Sequence, residues 1–159
     1  MSDYNDILVA IRRIMRAVDL HSKKLLKTVG LTAPQLVVMQ LLRKSGALPP
    51  STIAKEISLS QATVTSILDR LDSAGYTRRD RSTEDKRVVH TYLTPEGLEK
   101  VSKAPELLQS GFLREFRKLE EWEQMQLISS LQRIATMMDA EDIDASPILE
   151  IGEINERHS

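Results

Sequence analysis

No cysteine occurs in the 159 residues. That excludes disulfides, thiolate metal sites and thiol redox sensing. Aromatic residues make up only 4% of the chain, which favours aliphatic helix packing over an aromatic-rich β-sandwich. No apolar run approaches the roughly 20 residues that a membrane span needs. The start, MSDYND, lacks the basic-then-apolar pattern of a signal peptide, so a cytoplasmic location is expected. Catalytic signatures are missing too. There is no G-x-S-x-G, no phosphate-binding P-loop, no G-x-G-x-x-G and no H-E-x-x-H. No enzyme is expected, and no cofactor. The three histidines, His21, His90 and His158, share no i, i+4 spacing, so no metal site is expected either.

A charge of one sign is scarce only locally. Residues 139–159 hold seven acids and one base, Arg157. Taking these from the chain's 22 bases and 23 acids leaves 21 and 16, a net +5 on residues 1–138. A basic body suits an anionic partner without proving one. Within the acidic tail, Ile148, Leu149, Ile151 and Ile154 form an apolar patch. It is either disordered or docked on the dimer helices or on a partner subunit.

Ile7, Ile11, Ile14 and Val18 repeat at helical spacing, so residues 5–29 read as a helix ended by Gly30. Thr32 and Gln35 form a capping box for a helix to about Lys44. Leu48-Pro49-Pro50 is extended, and Ser51 is expected to cap a short helix to Ile57. A three-residue connector leads to a helix from about Gln61 to Ala74, with Gly75 as its stop. Tyr76–Asp80 and Val88–Leu93 read as strands of a hairpin with a charged tip. Thr94-Pro95 opens another helix, expected to run to about Lys118 with a kink at Pro105 or Gly111. The last helix covers about Glu121 to Met138, with Trp122 near its start as a staple or dimer contact. No internal repeat is present.

Residues 51–71 have the pattern of a helix-turn-helix. Ile53, Ala54 and Ile57 face inward, as do Val64, Ile67, Leu68 and Leu71. That leaves Ala62, Thr65, Ser66, Asp69 and Arg70 outward, with Gln61 and Thr63 on the flanks. Short donors and acceptors suit base edges, thymine methyls and phosphates. The positive end of the helix dipole near Ser60 and Gln61 favours a phosphate. The same residues also serve any exposed helix start. What tips the balance is the hairpin, where Arg78, Arg79, Arg81, Lys86 and Arg87 crowd together. Basic tips beside a recognition helix fit an arm reaching the minor groove or backbone. Asp85, two residues before Arg87, is expected to orient its guanidinium. The DNA-contacting set is therefore Ser60, Gln61, Ala62, Thr63, Thr65, Ser66, Arg70, Arg81, Lys86 and Arg87, with Asp85 stabilising the wing. His21 is the candidate wall of a small-ligand pocket. The alternative is a winged-helix adaptor that binds protein and no specific DNA.

The chain resembles the MarR family of winged helix-turn-helix regulators over about residues 5–138. Asp85-x-Arg87 followed by Leu93-Thr94-x-x-Gly97 is similar to the family's wing signature. LSQATVTSILDRLDSAGYTRR resembles its recognition helix and following strand, and LTAPQLVVMQLL the helix ahead of them. The resemblance implies a mainly α fold with a small antiparallel β-wing, and an intertwined homodimer. It implies a repressor on a pseudo-palindromic double-stranded DNA operator, with a small-molecule effector for many members. The chain is expected to divide into a dimerisation region, 1–30 and 105–138, a DNA-binding lobe, 31–104, and an acidic tail, 139–159, which is longer than the family's common pattern and on which the resemblance says nothing. The lack of cysteine excludes the oxidation-sensing branch. RAVDLHSKKL and SPILEIGEINE resemble the members that control compatible-solute genes, for ectoine or glycine betaine.

Overall fold

In the computed structural model, which describes residues 4–143 and 145–150, the chain opens with the long helix α1, Tyr4–Val29. Then come α2 (Ala33–Ser45), α3 (Pro50–Ile57) and α4 (Gln61–Ser73). The strands β1 (Thr77–Arg81) and β2 (Val89–Leu93) follow, and α5 (Pro95–Ser102), α6 (Leu108–Phe116) and α7 (Glu121–Met137) complete the order. The fold is mainly α with one small antiparallel hairpin, as the sequence implied. Among the described residues, no single helix is long and apolar enough to cross a membrane.

Local chemistry sets most boundaries. The Thr32 hydroxyl accepts the Gln35 amide while the Gln35 side chain accepts the Thr32 amide, the reciprocal pair that starts α2. Gly46 ends α2 at φ 75°. The start of α3 differs from expectation. Pro50 is already helical and Pro49 takes the cap position, so Ser51 lies inside the helix. A proline in the first turn gives up no hydrogen bond that the helix could use. Both strands start one residue later than the sequence suggested, and β1 also ends one residue later, at Arg81. The Tyr76 amide is spent on the Leu71 carbonyl, closing the end of α4, and Val88 closes the wing turn with Ser82 and Asp85. The expected kinked helix from Pro95 to Lys118 is in fact two helices, α5 and α6. Ala104 precedes Pro105 and is pushed out of the helical region, whereas Gly111 sits inside α6 without breaking it.

Two compact units result: residues 1–105 with 147–159, and residues 106–146. The first unit owns the core. Leu25, Leu31, Leu36, Met39, Ile53 and Leu68 are fully buried there. In the second unit, α6 and α7 contain no buried residue at all. Of the tail's apolar patch, Ile148 is buried and Leu149 is partly exposed. Ile151 and Ile154, like His158, lie outside the described residues.

Candidate nucleic-acid interface

The two-helix unit forms because its apolar positions meet. Ile53, Ala54 and Ile57 of α3 are buried, as are Val64, Ile67, Leu68 and Leu71 of α4. Ser58 turns the connector through a left-handed conformation, φ 57°. Ser60 then caps α4. Its hydroxyl accepts the Thr63 amide at 3.1 Å and pairs with the Thr63 hydroxyl at 2.8 Å. Ser60 and Thr63 thus spend part of their hydrogen-bonding capacity on the helix start itself. Gln61, Ala62, Thr65 and Arg70 are exposed, and Thr63 and Ser66 half-exposed. The sequence-derived outer face is therefore the solvent face.

The hairpin has two faces. Thr77, Arg79 and Arg81 of β1 pair with Leu93, Thr91 and Val89 of β2. Side chains alternate along a strand, so these six share one face, and Thr77 and Thr91 on it are buried. Arg78, Asp80, His90 and Tyr92 share the other face. There the Asp80 carboxylate, hydrogen-bonded to the Tyr92 hydroxyl, pushes that phenol's pKa up.

Arg79 has a role that the sequence reading missed. It points to α4 rather than to solvent, with Nε 2.8 Å from a carboxylate oxygen of Asp72 and a terminal nitrogen bonded to Asp69. The Thr77 hydroxyl donates to Asp72 as well. Burial alone would lower the Arg79 guanidinium, but the Asp69 and Asp72 carboxylates outweigh it and hold the group charged, above its ordinary value. Asp69, expected to face outward, is thus engaged with the strand. The i, i+3 spacing of Asp69 and Asp72 on one helix face was the available signal.

At the wing tip, Arg81, Lys86 and Arg87 are all exposed. Asp85 acts differently from expectation. Its carboxylate accepts the backbone amide of Arg87 at 3.0 Å rather than holding the guanidinium. The Ser82 hydroxyl accepts the amides of Glu84 and Asp85. The tip is thus shaped through its backbone, and the arginine head extends from a fixed root.

Beyond β2, the motif Leu93-Thr94-x-x-Gly97 gains a physical reason. The Thr94 hydroxyl donates to the Gly75 carbonyl at 2.6 Å and accepts the Gly97 amide at 3.1 Å. The Thr94 amide donates to the Tyr76 carbonyl. Gly97 packs so tightly on Tyr76 that an added Cβ would overlap its carbonyl oxygen. The end of α4, the end of β2 and the start of α5 meet at this one joint.

Residues 31–89, spanning this two-helix unit and most of the hairpin, match the MarR family. The HTH-type transcriptional regulator YfiV of Bacillus subtilis is 31% identical over 119 residues, covering 75% of this chain and 72% of YfiV. This chain belongs to the MarR family. A mutant of ZitR from Lactococcus lactis superposes with a TM-score of 0.66 at 25% identity, over 87% of this chain and 99% of ZitR. A mutant of MarR from E. coli, solved in complex with operator DNA, gives 0.56 at 26% identity, over 84% and 99%. In this MarR-family chain, the sequence-derived helix and wing residues all fall in the first compact unit. His21 lies in the same unit, half-exposed on α1. Burial, reinforced by Lys24, holds its pKa below the ordinary value.

Proposed function

We propose that this MarR-family protein is a homodimeric repressor that binds a pseudo-palindromic DNA operator. One observation carries the reading. The exposed face of α4 and the basic wing tip belong to one unit, and Arg79 fastens the strand of one to the helix of the other. In this reading Gln61, Ala62, Thr65 and Ser66 meet base edges in the major groove, and Ser60, Thr63 and Arg70 meet phosphates at its border. Arg81, Lys86 and Arg87 reach the minor groove or the backbone beside it. Asp85 fixes the root of Arg87.

The dimer is supported by the apolar surface. Ile7, Ile14 and Met15 of α1 are each about half exposed, as are Phe112 of α6 and Met125 and Leu131 of α7. Two helices with no buried residue form no core alone, and a symmetric partner supplies one. In this division, residues 1–30 and 105–138 build the dimer and 31–104 bind DNA.

An effector pocket beside His21 would tune the affinity by changing the spacing of the two DNA-binding lobes. The compatible-solute reading rests on RAVDLHSKKL and SPILEIGEINE, the latter lying largely outside the described residues. Selection of bound fragments from genomic DNA tests the whole proposal. Palindromic sites with half-sites about 10 bp apart are expected, and their neighbouring genes name the effector class. Consistently single, asymmetric sites contradict the dimeric mode. Retention of protein partners with no DNA at all supports the adaptor instead.

A further inference from the structure

The first turn of α2 has few amides to satisfy. Gln35 donates to the Thr32 hydroxyl and Leu36 to the Thr32 carbonyl. Pro34 has no amide hydrogen. That leaves Ala33, the first residue of the helix, which is 1% exposed. The carboxylate of Glu150, 117 positions later in the chain, lies beside its amide: burial raises the Glu150 pKa, and the Ala33 amide partly offsets that rise. A buried donor without a partner is costly, and Glu150 is the acceptor that the tail brings to it. The positive end of the helix dipole favours a carboxylate at this point.

A second observation fixes the same segment. The chain leaves the first unit after Pro105 and rejoins it at Pro147. At once Ile148 is buried, to 6% exposure. One apolar anchor and one carboxylate hold the returning chain.

We propose that Pro147–Glu150 is a latch: it closes on the corner between α1 and α2, gives the inserted helical segment its second attachment to the DNA-binding lobe, and supports operator affinity by restricting that lobe. The operator arm of this proposal rests on the DNA-binding reading. Two attachments restrict a lobe more than one. An open latch therefore spreads the protein over more conformations and lowers the fraction competent for DNA.

The test uses the full chain carrying Ile148→Asp, Glu150→Ala or the conservative Ile148→Val. Hydrogen exchange of the Ala33 amide is followed without DNA. Affinity is followed by fluorescence anisotropy on a duplex selected from genomic fragments. Ile148→Asp and Glu150→Ala should each speed Ala33 exchange and raise the dissociation constant, on the order of tenfold for Ile148→Asp. Ile148→Val should behave as wild type in both. Wild-type exchange at Ala33 in both disruptive variants overturns the latch. Faster exchange with unchanged operator affinity overturns its coupling to DNA. A wild-type protein that binds no duplex sinks the DNA-binding reading instead, and the exchange comparison then decides the latch alone. Glu150→Ala keeps the test decisive should Ile148→Asp fail to fold, because it removes only a half-buried carboxylate.

Discussion

Arg87 and Gln61 are both exposed, yet they should fail in different ways. Arg87→Ala should weaken binding to operator and unrelated duplex together, because phosphate and minor-groove interactions carry little sequence information. Its salt slope should fall by about 1 for each phosphate that is no longer neutralised. Gln61→Ala or Thr65→Ala should instead cost roughly 1–3 kcal/mol at the base read and little on unrelated DNA. Anisotropy at two salt concentrations separates the two patterns. Asp85→Ala should be a weaker copy of Arg87→Ala. It frees the backbone amide at the root of Arg87 but leaves the guanidinium. His21 gives a pH signature. Its folded-state pKa lies below the ordinary value through burial and Lys24, so the unfolded chain takes up the proton first. Its contribution is therefore intact above about pH 6.5 and is lost as pH falls through the depressed folded value. Thermal melts of His21→Gln should lose less stability than wild type between about pH 7 and pH 5, and an identical loss would contradict this.

Among the elements, the wing depends on two fasteners. Arg79→Met would leave Asp69 and Asp72 without their shared cation. Hydrogen exchange in β1 should rise and DNA affinity should fall while the dimer persists. Unchanged exchange would mean that the ladder alone holds the strand. Gly97→Ala should be more severe. The new methyl meets the Tyr76 carbonyl, which is backbone and unable to swing aside, so a loss on the order of 1–3 kcal/mol or more is expected in denaturant melts. Much of this is legible from residues alone. The Thr32–Gln35 box, the Gly46 stop, the inward set of α3 and α4 and the outer face of α4 all follow from short-range patterns. What is not legible depends on distant partners or on competing local bonds. Arg79 reads as one more basic wing residue, because the i, i+3 spacing of Asp69 and Asp72 marks an acidic helix face without saying which strand residue lies across from it. Proximity pairs Asp85 with a guanidinium on paper, but the nearer backbone amide of Arg87 wins in the fold. Ser51 loses the helix start to Pro50, and a proline turns one expected helix into α5 and α6. The apolar patch around Ile148 marks a segment that could dock, but its site, more than a hundred residues away in the chain, leaves no local trace.

For the whole molecule, α6 and α7 without a core and the half-exposed apolar side chains of α1 call for a partner chain. Light scattering at micromolar concentration should give twice the mass of the 18.0 kDa chain, and a monomer would contradict the proposed assembly. In the proposed function, a dimer reads DNA by sequence with α4 and adheres to it with the wing. The most direct measurement is an anisotropy titration of wild-type protein on a selected operator and on its scrambled version, at two salt concentrations. Two chains per duplex are expected, with a preference for operator of about a thousandfold or more and affinity for both duplexes that falls steeply with salt. Equal affinity for operator and scrambled duplex, or binding indifferent to salt, would contradict the proposed function.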